Sequence, residues 1–103
     1  MKQLAWFRLS TQIIPTKIKY NADSFEVFDI DDMKKELRKI CTDLVNVNEP
    51  DIFIYMNDAE ETEALRVDLS LREVQANFNV GLTSTNPFIV RYKNKFENEI
   101  PGN

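Results

Sequence analysis

The residues of this chain that could do chemistry are a lone cysteine and two groups of carboxylates, because the sequence contains no histidine. Ser-His and Cys-His pairs therefore cannot form, and the commonest acid-base group at neutral pH is missing. Cys41 belongs to the apolar side of a predicted helix, where a buried thiol has a raised pKa and is a poor nucleophile. The only glycines, Gly81 and Gly102, are too few for a P-loop or a dinucleotide fingerprint. We expect no enzyme activity and no cofactor.

The two carboxylate groups have simpler explanations than metal binding. One group starts a predicted helix and consists of Asp29, Asp31 and Asp32. The other lies in a predicted loop and consists of Asp58, Glu60, Glu61 and Glu63. A helix start favours carboxylates, whereas a calcium loop needs further oxygen ligands and a glycine at fixed spacing, so we expect no metal site. The loop group is interpreted as solvated, with a docking site for a basic partner as the alternative.

Composition limits the class of protein further. A chain of 103 residues with 43% apolar residues is expected to form one domain with its own core. Its net charge of −4 argues against binding nucleic acid or an anionic membrane through overall charge. No secretory signal is visible in residues 1–14, no apolar run could span a bilayer, and one cysteine cannot form an intrachain disulfide. We expect a soluble, intracellular domain with no nucleic-acid or membrane partner.

The clearest element is an amphipathic helix over residues 29–44. Its apolar stripe consists of Met33, Leu37, Ile40, Cys41 and Leu44. Its basic side consists of Lys34, Lys35, Arg38 and Lys39. This spacing follows a period of 3.6 residues and predicts that the stripe packs on a sheet. Asp31 is the predicted N-cap.

Strand patterns flank this helix on both sides. Strands are predicted at residues 4–9, 17–20, 52–56, 65–71 and 88–92, with the first two forming a hairpin and the last lying centrally beside the first. The segment 65–71 is expected to run into a helical turn at 70–74. Residues 25–28 fit either a continued sheet or a packed connection. The predicted domain covers residues 1–92, and residues 93–103 form a polar tail.

Both faces of the predicted sheet are apolar enough to favour burial. In the first strand one face takes Ala5, Phe7 and Leu9, and the other takes Leu4, Trp6 and Arg8. One helix can cover one face, so the open face should carry large apolar groups, and such a patch usually marks an interaction site. The alternative is that residues 11–16 or 75–86 cover it.

The candidate partner-binding residues on the open face are Trp6, Arg8, Phe53, Tyr55, Ile89 and Arg91. Arg91 also belongs to a basic patch with Lys93 and Lys95. That patch is interpreted either as an exposed strand end and tail or as a contact for an acidic protein surface.

The segments that suggest a family are LAWFRL, DDMKKELRKI, IFIYM, ETEALRVDLSLREV and NPFIVRY. Through them, the span 4–92 resembles ubiquitin-like β-grasp domains, and most of all the N-terminal header domain of fungal crinkler-type effector proteins. The resemblance implies an α+β fold with a mixed four- to five-stranded sheet and one main helix packed across one face. It also implies a secreted effector that is delivered into host cells and carries its activity in a variable C-terminal domain.

Two features depart from related patterns. The chain has no clear form of the LFLAK-like motif that oomycete crinklers carry. In those proteins the motif is associated with delivery of the effector into host cells. Its last residues are Ile100, Pro101, Gly102 and Asn103 rather than the diglycine of conjugated ubiquitin-like modifiers. We therefore expect no conjugation through that end.

These patterns favour a non-enzymatic ubiquitin-like module that binds a protein partner through its open face, as a monomer or a weak homodimer. One alternative is a Ras-association-like adaptor, which would use Lys17 and Lys19 with Arg8 against an acidic GTPase surface. Another is a structural domain in which the same face closes a homodimer.

Overall fold

A four-stranded mixed sheet forms the centre of the fold in the computed structural model, which describes residues 2–21 and 27–93. The fold is α+β. The strands are β1 (Lys2–Leu9), β2 (Thr16–Asn21), β3 (Ile52–Tyr55) and β4 (Phe88–Tyr92). The helices are α1 (Ile30–Ile40) and α2 (Leu71–Phe78), with short 3-10 helices at Thr42–Leu44 and Glu49–Asp51.

The strand order is β2-β1-β4-β3. β1 pairs antiparallel with β2 and parallel with β4, and β4 pairs antiparallel with β3. The predicted hairpin and the predicted central position of the last strand are both confirmed. Because β1 and β4 run parallel, the chain must cross between them, and α1, β3 and α2 lie on that crossover.

The side chains of β1 alternate between the two faces as the sequence predicted. Ala5 and Phe7 are fully buried, whereas Trp6 and Arg8 are half-buried on the opposite face. The buried face packs against α1 and α2 in one apolar cluster. The cluster includes Phe7, Ile18, Met33, Leu37, Ile54, Leu71, Phe88 and Val90. The face away from the helices is called the open face below.

Helix α1 begins two residues before the start that the predicted N-cap Asp31 implies, and it ends at Ile40, before the predicted end at residue 44. Asp29, not Asp31, is the N-cap: its carboxylate accepts from the backbone N–H of Asp32 at 2.8 Å, and the Asp32 carboxylate accepts from the N–H of Asp29 at 3.1 Å. This reciprocal pair satisfies two N–H groups at the helix start. Asp31 is thereby left to form an ion pair with Lys35 one turn on. The helix ends at Ile40, before the 3-10 turn.

Two residues of the predicted helix, one from the apolar stripe and one from the basic side, differ in burial from what the sequence predicted. Met33, Leu37 and Leu44 are buried as expected, but Ile40 is 51% exposed because the helix ends there. Lys34, predicted on the solvated side, is only 6% exposed. Cys41 is half-buried.

The predicted strand at 65–71 is wrong. This segment is irregular; it makes an isolated bridge between Asp29 and Ser70 and otherwise uses single backbone hydrogen bonds, such as Leu65 N–H to Ile54 O at 2.8 Å. The helical turn expected at its end extends into α2, with Ser70 as N-cap accepting from the N–H of Glu73. In its LRVDLSL alternation, Leu65 and Leu69 are half-buried against the core, and Leu71 is fully buried in it.

Some sequence predictions lie partly outside the described residues. Of the segment 25–28, Val27 and Phe28 are described and are not in a strand; the Phe28 ring stacks on Tyr20 with centroids 4.9 Å apart. Of the predicted tail, Lys93 alone is described, and Lys95 of the predicted basic patch is not. Among residues 2–21 and 27–93, no helix has the length and apolar character to cross a membrane.

Candidate functional site

The structure brings the candidate partner-binding residues together on the open face of the sheet. The strand register pairs Arg8 of β1 with Ile89 of β4, and Ile89 with Tyr55 of β3. These residues form a central row. Arg91 and Phe53 form the next row toward the end of β4.

Trp6 lies at the other end of the open face. Its register partner on β2 is Lys17, whose Nζ lies 5.0 Å from the centre of the Trp6 rings, in cation–π contact. Because Leu9 pairs with Val90, Arg91 is about four strand positions beyond Trp6, a separation of roughly 13 Å along the sheet. The sequence predicted correctly that the two residues lie on adjacent strands, but they do not touch each other.

A loop carboxylate joins the two arginines of the open face. Asp58 accepts a hydrogen bond from Arg91 Nη2 at 2.5 Å and lies 3.5 Å from Arg8 Nη2. Arg8 also donates to the backbone carbonyl of Gln12 at 2.8 Å. The acidic loop is exposed, as expected of a solvated loop, at all four of its carboxylates: Asp58, Glu60, Glu61 and Glu63. Asp58 in addition pairs with the sheet.

The aromatic rings of β3 are also contacted by cations. The guanidinium of Arg91 lies 5.1 Å from the Tyr55 ring centre. Lys93 and Lys34 lie 5.8 and 5.9 Å from the Phe53 ring centre. Burial lowers the pKa of the Lys34 ammonium, while the carboxylates of nearby acids oppose that shift. The rings therefore present faces that this chain's own cations already occupy.

A cavity of about 300 Å³ opens beside the central row, where three loops meet. It is lined by Arg8, Ile89, Ile13, Pro15 and the segments 57–58 and 84–87. Ile89 is only 4% exposed, whereas Ile13 on the β1–β2 loop is 92% exposed. The loops thus bury one member of the predicted patch, and the β1–β2 loop leaves its own isoleucine in solvent.

Sequence reasoning missed Gln75 of α2, which is fully buried and organises the loop beside this cavity. Its amide nitrogen donates to the carbonyls of Leu4 and Gly81 at 2.9 and 3.0 Å. Its amide oxygen accepts from the Tyr20 hydroxyl at 2.5 Å and from Gln3 at 2.9 Å. The amide is therefore fully hydrogen-bonded, as burial requires. Only its position on the buried side of α2, with Leu71 and Val74, could have indicated this.

Gly81 continues the link from Gln75 to the open face. Its carbonyl also accepts a hydrogen bond from the backbone N–H of Trp6 at 2.7 Å, and its own backbone N–H donates to the Asn86 carbonyl. It has a φ of +71°, and a Cβ there would overlap the Phe88 ring, so glycine is the residue this close approach allows. The segment that closes the cavity is thereby held against β1.

The groups that could do chemistry are used structurally. Burial raises the pKa of the Cys41 thiol, and the negative charge of Asp43 adds to this, so the reactive thiolate is disfavoured. Asp29 and Asp32 cap the helix. No group of three or more metal-ligating side chains occurs in the parts of the chain that the structure describes.

A scan against protein-family models, a search of curated proteins and a search of solved structures each found no match. A function for this chain therefore has to be inferred from its own residues and geometry.

Proposed function

We propose that this chain is a non-enzymatic protein-interaction module with a ubiquitin-like β-grasp fold, serving as the N-terminal domain of a crinkler-like effector. The observation that carries the proposal is the strand order β2-β1-β4-β3 with β1 and β4 parallel at the centre. A hairpin, a helix and a final central strand beside the first are the arrangement that the resemblance to ubiquitin-like domains implies.

The open face supplies the surface for this function. Trp6, Arg8, Tyr55 and Arg91 are all half-buried there, so they present apolar area and charge without forming the core. Aromatic residues and arginines are the residue types that anchor protein interfaces, because they bury large areas and hydrogen-bond at the rim. The chain has no histidine, and burial raises the pKa of its one cysteine, so its reactive side chains support binding rather than catalysis.

The test compares Trp6→Glu with Phe78→Glu, a matched aromatic-to-acid change on α2, where Phe78 is 56% exposed. The tagged protein is cross-linked to its partners, which mass spectrometry identifies. Wild type and Phe78→Glu should capture the same proteins, and Trp6→Glu should lose them, since an aromatic anchor contributes about 2 kcal/mol or more, roughly thirtyfold in affinity. Circular dichroism should show all three folded. Equal capture by all three would refute the proposed surface.

A Ras-association-like adaptor is the second candidate. The observation that favours it is that β2 lies at one edge of the sheet with Lys17 and Lys19 exposed. Such an edge can add a strand from a partner whose acidic surface faces the lysines. Lys17→Glu with Lys19→Glu would then abolish binding while Trp6→Glu preserved it, the reverse of the first candidate's pattern.

A further inference from the structure

The open face has the opposite charge sign to the chain. The charged side chains that the four strands direct to it are all cations: Lys2, Arg8, Lys17, Lys19 and Arg91. The whole chain carries a net charge of −4. Such a face favours an acidic partner and repels basic ones, because complementary potentials steer association and select partners.

Within residues 2–21 and 27–93, a carboxylate that contacts this face is that of Asp58. Its carboxylate lies between the Arg8 and Arg91 guanidiniums, at 3.5 and 2.5 Å from their nearest nitrogens. The Asp58 side chain is 56% exposed and comes from an irregular loop, whereas the Arg8 side chain is 23% exposed on a central strand. The arginines are therefore the fixed part of this site and the carboxylate is the replaceable part. Exposed ion pairs of this kind contribute little, so an external carboxylate can compete.

The cavity next to this carboxylate position has a mixed lining, whose apolar residues are Ile13, Pro15, Pro87 and Ile89. Ile89 is buried, whereas Ile13 has 92% of its surface exposed. A partner with an aliphatic side chain beside its carboxylate would bury Ile13 while it filled the cavity. Charge and shape thus point to the same kind of ligand.

The face suits a peptide better than a nucleic acid, although it is basic and aromatic. Single-stranded nucleic acids need exposed rings on which bases stack. Here Lys17 lies over Trp6, Arg91 over Tyr55, and Lys93 near Phe53. The net charge of the chain also opposes a polyanion.

Resting on the proposed function, we propose that the open face binds an acidic peptide segment of a partner protein. A carboxylate of that segment replaces Asp58 between Arg8 and Arg91, and a neighbouring aliphatic side chain enters the cavity beside Ile89. Asp58 then acts as an internal competitor that lowers the affinity of the free face for weakly acidic partners.

The experiment selects binders of the wild-type protein from a phage-displayed library of random peptides. A selected peptide is then synthesised with a fluorescent label, and its affinity is measured by anisotropy for the variants Asp58→Asn, Glu61→Gln, Arg8→Gln and Arg91→Gln. Glu61→Gln is the matched control, because it removes the same charge from an exposed position of the same acidic loop.

Selected peptides should carry Asp or Glu next to an aliphatic residue. Asp58→Asn should bind roughly three- to tenfold more tightly, the range expected for releasing exposed ion pairs. Each arginine variant should bind roughly tenfold more weakly, the loss expected for a charged hydrogen bond. Glu61→Gln should change affinity less than about twofold, since salt screens an exposed loop charge.

The outcomes separate this inference from the proposed function. If no peptides are selected, if they lack carboxylates, or if Asp58→Asn behaves as Glu61→Gln does, the inference is wrong. If the peptides bind Arg8→Gln, Arg91→Gln and also Trp6→Glu, measured in the same way, as they bind wild type, the proposed surface itself is wrong. Tighter binding of labelled oligothymidylate than of the peptide, lost in Arg8→Gln, would identify a nucleic-acid site instead and overturn the proposal.

Discussion

Replacing Gln75 by alanine should destabilise the protein far more than a polar residue on a short helix normally would. Its side chain makes four hydrogen bonds and has no exposed surface. A buried hydrogen bond contributes about 1 kcal/mol net, so the four together amount to about 4 kcal/mol. The half-buried Gln3 can turn to water, which reduces the expected loss to about 3 kcal/mol.

Urea denaturation of Gln75→Ala, Tyr20→Phe and the double variant measures this network. Tyr20→Phe removes one hydrogen bond and should cost about 1 kcal/mol. The double variant should lose less unfolding free energy than the two single variants added together. In Gln75→Ala the Tyr20 hydroxyl is left without its acceptor, whereas in the double variant that hydroxyl is absent. Asn77→Ala, on the exposed side of the same helix, is the control and should be nearly neutral.

A loss below about 1 kcal/mol for Gln75→Ala, or one equal to that of Asn77→Ala, would refute the reasoning, because it would mean that water satisfies the partners of Gln75. The result also bears on the open face. Gln75 donates a hydrogen bond to the Gly81 carbonyl, which also accepts from the backbone N–H of Trp6. Because the Gly81 N–H in turn donates to the Asn86 carbonyl, the loop at 84–87 depends on this amide for its position.

Two further predictions concern the core and its titration. Leu37→Ala, which opens a cavity at a fully buried position of α1, should cost about 2 to 5 kcal/mol in chemical denaturation, while the exposed Lys35→Ala should be nearly neutral; equal midpoints would contradict the helix-face assignment. Burial raises the pKa of Tyr20 to about 12, against the opposing charge of Arg72, so tyrosinate is disfavoured in the folded state. The stabilisation from this group is fully present below about pH 10 and falls by about 2 kcal/mol between about pH 10 and 12. Tyr20→Phe, measured by urea denaturation at both pH values, should lack this part of the decline, and an identical decline in wild type and variant would contradict it.

Much of the fold was predictable because its signals are local. The alternation in β1 follows from the geometry of any strand, so Phe7 and Trp6 could be assigned to opposite faces before the structure was known. The spacing of Met33 and Leu37 indicated the buried side of α1 for the same reason. The last strand stood out as a β-branched and aromatic run after a proline.

Local signals were ambiguous where several residues of one type compete. Asp29 and Asp31 both suit a helix start, and the reciprocal bonds with Asp32 decided in favour of Asp29. The segment 65–71 alternates as a strand does, yet it makes only a single backbone hydrogen bond to the edge strand β3, from Leu65 N–H to Ile54 O, and forms no ladder with it. Ile40 continues the helical stripe in the sequence, but the helix ends at that residue.

The sequence by itself determined which residues of a strand share a face, and only the tertiary structure decided which face is open and what its residues contact. Residues on one strand share a face through the pleat, which needs no knowledge of the rest of the fold. The pairing of Asp58 with Arg8 joins residues 50 positions apart in the chain, and that of Gln75 with Leu4 joins residues 71 apart. Such contacts depend on how β1 and β4 come together and where the loops then meet. No local pattern carries that information, because it arises from the packing of the whole chain.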